Sequence, residues 1–140
     1  MLVRLIYASR TQGILTPLDV KDIVRTSQHN NARRGITGAL LLSNGIFVQC
    51  LEGDRLEVSA LYHHILKDTR HRDPAVLALD EIDQRLYGAW AMGLLPTIEA
   101  NQQLFLKYSP RAEFDPYAIR PAALQAFFAE MVAHAREIPA

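Results

Sequence analysis

An α+β fold of the ferredoxin-like kind is predicted for this 140-residue chain by three observations. Asn44-Gly45 stands between two runs of strand formers, a strong hairpin signal. The hairpin is flanked on both sides by a stretch with apolar residues at helical spacing, each opened by a capping residue. A strand-like run lies beyond each of these helices, at Leu2–Tyr7 and at Val76–Ile82. The order is therefore β-α-β-β-α-β with one added strand. It implies a five-stranded mixed sheet with two helices on one face, followed by a C-terminal helical tail.

The elements follow in order. Leu2–Tyr7 is short and apolar. Thr16, Pro17 and Asp19 read as an N-cap, a first-turn proline and an early acid. Val20, Ile23 and Val24 then carry a helix to about Asn30, which leaves Asn30 and Asn31 at its end and Arg33-Arg34 in a solvated turn. Ile36–Leu42 and Ile46–Leu51 form the hairpin. Asp54 and Glu57 have capping-box spacing, and Leu56, Leu61 and Ile65 continue a second helix toward Asp68. Arg70-His71-Arg72 reads as its basic C-terminus. After Asp73-Pro74 come strands around Val76–Ile82 and Trp90–Leu95, and Pro96 closes the unit. The chain thus divides into residues 1–96 and a helical extension, 97–140. That extension holds a short helix near Asn101–Tyr108 and an amphipathic one from about Pro121 to Glu137, whose apolar side carries Phe127, Phe128, Met131 and Val132. It is the natural cover for the second face of a sheet, its own or a partner's.

Composition narrows the function. Fifteen basic residues balance fifteen acidic ones, which argues against non-specific nucleic-acid binding and against electrostatic attachment to a membrane. Apolar runs stay far below spanning length, and the N-terminus reads as a strand rather than a signal peptide. The single cysteine, Cys50, fits a reducing cytoplasm. His63, His64 and His71 lie on or just after one helix and do not converge as metal ligands. His29 and His134 read as solvated helix positions, and Cys50 as a small buried hydrophobe.

Strand parity then groups the polar residues. Leu5 and Tyr7 share a face, as do Phe47, Gln49 and Leu51, while Val48 and Cys50 point the other way. If the first and third strands are neighbours, Tyr7 meets Gln49 on the helix-covered face. Trp90 and Met92 share a face of the last strand. Taken singly, each residue has a structural reading. Tyr7 can be a core tyrosine bonded to a carbonyl, Gln49 an edge-strand amide, and Asn30 and Asn31 a helix C-cap. Trp90 and Met92 can be ordinary core. Taken together, a phenol and amides around one pocket suit a flat heterocycle that carries both donors and acceptors.

The stretches RLIYASR, NNARRGITGALL, FVQCLEG and WAMG, in this order, resemble the BLUF family, flavin-binding sensors of blue light, in its short type with only a helical tail. The resemblance covers Leu2 to Pro96. It implies that Tyr7 is the photoactive electron and proton donor and Gln49 the switching amide beside it, by rotation or by tautomerisation. It places Asn30 and Asn31 at the polar edge of the flavin and Ile23 and Ile65 as the apolar walls. Trp90 and Met92 fall on the signal-relaying strand, and Asp68 and Arg70 near the ribityl and phosphate end. The implied cofactor is FAD or FMN, with no metal. No glycine-rich phosphate loop is present, so the dinucleotide fingerprint is not the mode of binding.

The expectation is a cytoplasmic photoreceptor rather than an enzyme. It would signal through protein contacts to a separate, unidentified downstream protein, as a homodimer. Two other classes compete: a small flavin-dependent oxidoreductase, and a flavin-free ferredoxin-like interaction module. Two helices enclosing the ring leave no open face for a hydride donor, which counts against the first.

Overall fold

Asn44 and Gly45 both adopt positive φ, 53° and 73°, and this tight left-handed turn joins the two strands of the hairpin. The computed structural model describes residues 1–88, 90–95 and 102–137. In chain order the elements are β1 (Leu2–Thr11), α1 (Pro17–Arg34), β2 (Thr37–Ser43), β3 (Ile46–Asp54), α2 (Arg55–Ile65), β4 (His71–Glu81), β5 (Gly93–Leu94), α3 (Gln102–Leu106) and α4 (Pro121–Glu137). The sheet runs β4-β1-β3-β2-β5. Its first four strands are antiparallel to their neighbours, and β5 joins β2 in parallel, so the sheet is mixed. The fold is α+β and ferredoxin-like, with the tail helices present.

Local chemistry explains the helix ends. Thr16 and Asp19 form a reciprocal capping box at the start of α1, with Pro17 at its first position. Asp54 caps α2 by accepting from the Leu56 amide. α1 ends only at Gly35, which takes the left-handed conformation (φ 67°) that a side chain would strain. Asn30 and Asn31 therefore lie inside α1 and are not its C-cap. Arg33 and Arg34 form its last turn, and Arg34 reaches Glu57 of α2 at 3.6 Å. α2 stops at Ile65, and His71 already begins β4, so Arg70-His71-Arg72 is not a helix terminus. Asp73 (φ 53°) sits where the β1–β4 register shifts, an irregularity that a proline-containing edge strand tolerates.

Two hydrophobic clusters flank the sheet. Val3, Leu5, Tyr7, Leu40, Phe47 and Leu51 pack with Val58 and Leu61 of α2 on one face. Ile6, Ala8, Ala39, Leu41, Val48 and Cys50 pack on the other with Phe105, Phe114, Leu124, Phe127, Phe128 and Met131. The tail thus lies on the sheet of its own chain. Gly38 is demanded by proximity, since a Cβ there would fall 2.0 Å from the Cys50 carbonyl oxygen. The boundary at Pro96, the start of the short helix at Asn101 and the side chain of His134 lie outside the described residues.

One expectation is corrected here. Trp90 and Met92 do not share a strand face, because regular pairing is confined to Gly93 and Leu94. Met92 is buried in the cluster under α1 and α2, whereas Trp90 packs with the opposite cluster. The segment before β5 is drawn off strand geometry by bonds to three carbonyls, described below.

Candidate functional site

Tyr7 and Gln49 are direct cross-strand partners in the β1–β3 register, on the face covered by α1 and α2. Both are 4% exposed, and the Tyr7 hydroxyl donates a hydrogen bond to Gln49 Oε1. Burial, with Tyr62 and Asp68 nearby, pushes the Tyr7 phenol far above its ordinary range, so it keeps its proton. The Tyr62 ring lies 5.3 Å away, tilted by 56°. The other end of Gln49 donates to Met92 Sδ at 3.6 Å, and a thioether is a weak acceptor for a buried amide.

These groups open onto a cavity of about 430 Å³ between α1, α2 and the sheet. Tyr7, Gln49, Asn30, Asn31, Ile23, Ile65, Asp68 and Arg70 all line it. Ile23 and Ile65 face it from different helices. Asn31, 1% exposed, donates from Nδ2 to the Ala91 carbonyl at 2.7 Å. At the mouth, Arg70 donates to both Asp68 oxygens (2.6 to 3.1 Å) and reaches Asp22 at 3.4 Å. The Arg70 hydrogen bond holds the Asp68 carboxyl below its usual range. Met92 touches Gln49, while Trp90 stands apart and covers Gly93, where a Cβ would fall 2.4 Å from its ring.

Sequence reasoning missed several groups. Ser9 continues the parity of Leu5 and Tyr7, but ending the strand at Tyr7 hid it. His71 lines the cavity and uses both ring nitrogens: Nδ1 lies 2.8 Å from Ser9 Oγ and Nε2 2.9 Å from the Ile65 carbonyl. A carbonyl only accepts, so Nε2 carries a hydrogen and donates it to Ile65. The Ile65 wall is held in place by this pair. Glu52, fully buried on the opposite face, accepts from Arg4 Nε and Nη2, Thr37 Oγ1 and the Leu86 and Tyr87 amides. No group of metal-ligating side chains occurs among the described residues.

The cavity lies within the size range of small-molecule clefts. Apolar walls with amides at one end suit a flat heteroaromatic ring, and the residues present fit a flavin on this ground. Residues 2–93 match the family model BLUF, described as sensors of blue-light using FAD. Photoactivated adenylate cyclase subunit beta of Euglena gracilis is 40% identical over 110 residues, covering 78% of this chain and 12% of that protein. The chain spans about a tenth of the length of the curated relatives it matches. The solved structure of the BlsA photo-activated state aligns with 94% of this chain and 95% of its own, at TM-score 0.85 and 30% identity. That of BlrB, a BLUF protein in its dark state, aligns with 96% of each chain at TM-score 0.78 and 28% identity.

Proposed function

This chain belongs to the BLUF family of blue-light sensors using FAD, and we propose that Gln49 is the part that moves when its flavin is excited. The observation that carries this reading is the continuous line from Tyr7 through Gln49 to Met92. When bound, the flavin supplies absorption of blue light and, once excited, an acceptor for an electron. Tyr7 is the donor, and its hydroxyl proton has a path along the bond to Gln49 Oε1. Asn30 and Asn31 orient the ring edge, Ile23 and Ile65 bury its faces, and Asp68 and Arg70 close the solvent end. FAD or FMN serves equally at such a site.

Gln49 can act as a switch because its two ends have opposite hydrogen-bond sense. Turned over, it presents Oε1 to Met92 Sδ, and a thioether has no hydrogen to give. The bond to Met92 is then lost while nothing covalent has changed. Met92 and, behind it, Trp90 relay that loss to residues 97–140, which serve as an extension of a sensor unit formed by 1–96. Return of the electron and the proton to Tyr7 leaves only hydrogen bonds exchanged, so the chain is a sensor and not an enzyme. Its output passes by contact to a separate partner protein. A homodimer in the cytoplasm is the form we favour, on the exposed apolar side chains of Val76 and Leu79 along the β4 edge and the free, buried Cys50 thiol. Among the described residues no helix is long and apolar enough to cross a membrane.

Visible absorption before and after blue light tests the reading. The flavin-loaded protein is expected to show a reversible small red shift, and Tyr7→Phe to stay coloured without it. A protein that remains colourless with added FAD and FMN, or a Tyr7→Phe variant that still shifts, overturns it.

A further inference from the structure

Three consecutive carbonyls fasten the segment before β5 to the wall of the cavity. The Trp90 carbonyl accepts from the Gly38 amide at 2.9 Å, Ala91 from Asn31 Nδ2 at 2.7 Å, and Met92 from Gln28 Nε2 at 3.0 Å. Gln28 and Asn31 lie one turn apart on the same side of α1, which lets them reach adjacent carbonyls. Met92 is thus gripped by two amides: its carbonyl by Gln28 and its sulfur by Gln49 at 3.6 Å.

We propose that Gln28 is a positioning residue, which holds Met92 against Gln49 and sets how readily the segment leaves when that contact is lost. The inference rests on the light-sensor reading of the cavity and deepens it. Of the three fastenings, Gly38 is part of β2, and Asn31 is buried within the cavity wall. Gln28 alone among the three donors carries an exposed side chain whose bond water can replace at small cost. It is the fastening that a weak signal can undo. A second cavity of about 540 Å³, bordered by Gln28, Val24, Leu42, Leu94 and Leu95, leaves room beside β5 for a displaced segment. A shift of that segment carries Trp90 with it, because Trp90 lies against Gly93.

Trp90 is the only tryptophan of the chain, so its fluorescence reports this segment directly. Gln28→Ala keeps a strong helix former in α1. Gln28→Glu keeps the shape and removes the donor. In ligand-free protein, both variants are expected to show greater acrylamide quenching of Trp90 and about fivefold faster hydrogen exchange at the Leu95 amide. Loaded with FAD, both should keep the wild-type dark spectrum and change the rate of dark recovery about fivefold. Wild-type quenching and exchange in the two variants overturns the proposal. So does a lowered unfolding midpoint with Trp90 unmoved, which marks a merely structural amide. If the wild type takes up no flavin, the sensor reading fails by itself, and the ligand-free measurements still decide the role of Gln28.

Discussion

The two faces of the sheet are built from the same strands and are packed in opposite ways. On one face, Phe105, Phe114, Phe127 and Phe128 interlock edge to face at centroid distances of 5.4 to 6.1 Å over Ile6, Val48 and Cys50. On the other, α1 and α2 stand over Tyr7 and Gln49 around a cavity of about 430 Å³. Neighbours in sequence such as Gln49 and Cys50 therefore occupy different surroundings, because successive side chains of a strand point to opposite faces. The dense face supplies stability through buried aromatic area. The other face gives up part of that packing to the cavity around Tyr7 and Gln49.

The largest expected effects contrast the two faces directly. Phe127→Ala should cost about 3–5 kcal/mol in denaturant unfolding of the ligand-free protein. Phe47→Ala, at the cavity wall, should cost no more than about 3 kcal/mol, since its loss enlarges a space already present. Equal losses would break the comparison. Next comes Glu52→Ala, which strips a fully buried carboxylate from Arg4, Thr37 and the amides of Leu86 and Tyr87. A loss of about 3 kcal/mol is expected by the same measurement, with Glu52→Gln milder because it keeps an acceptor oxygen. A neutral outcome for Glu52→Ala would remove the dense face's polar anchor from the account.

Smaller effects appear with pH. Burial pushes the Cys50 thiol from its ordinary 9.0 up to about 12. The unfolded chain then loses this proton first, so stability should fall as pH rises from about 9 toward about 12. Cys50→Ala should flatten that decline, and an unchanged slope would contradict it. At the cavity mouth the sign reverses. Hydrogen bonds from Arg70 depress the Asp68 carboxyl below its ordinary 3.8, so this contribution is present above that value and fades as pH falls through the depressed one. The pair is partly exposed and screened, so Asp68→Asn should alter acid unfolding only slightly. A large change would mean that the mouth, and not the aromatic face, governs acid stability.

Much of this architecture is legible in local signals. Asn44-Gly45, the Thr16–Asp19 cap and the alternation of β1 and β3 are decided by residues close in sequence, and the parity of Tyr7 and Gln49 needs only a neighbouring pair of strands. Elements governed by distant partners are less legible. The end of α1 depended on Gly35 rather than on the two asparagines. Arg70-His71-Arg72 looked helical because its charge suits a helix end, yet His71 starts β4 and turns its ring toward Ser9 and Ile65. Glu52 gave no local sign of burial. Its donors come from β1, β2 and the chain after β4, elements brought together only by the sheet and its connections.

Sequence alone determined the order of strands and helices, the hairpin, the face on which each residue of β1 and β3 lies, and the resemblance to a flavin sensor. These depend on backbone periodicity and turn chemistry, which act over a few residues. Tertiary structure alone decided that Met92 touches Gln49 while Trp90 turns to the opposite cluster, and that Gln28 and Asn31 grip adjacent carbonyls. It also decided that the tail lies over its own sheet. Those outcomes depend on which distant donors can satisfy buried carbonyls and carboxylates, and no spacing along the chain specifies that choice.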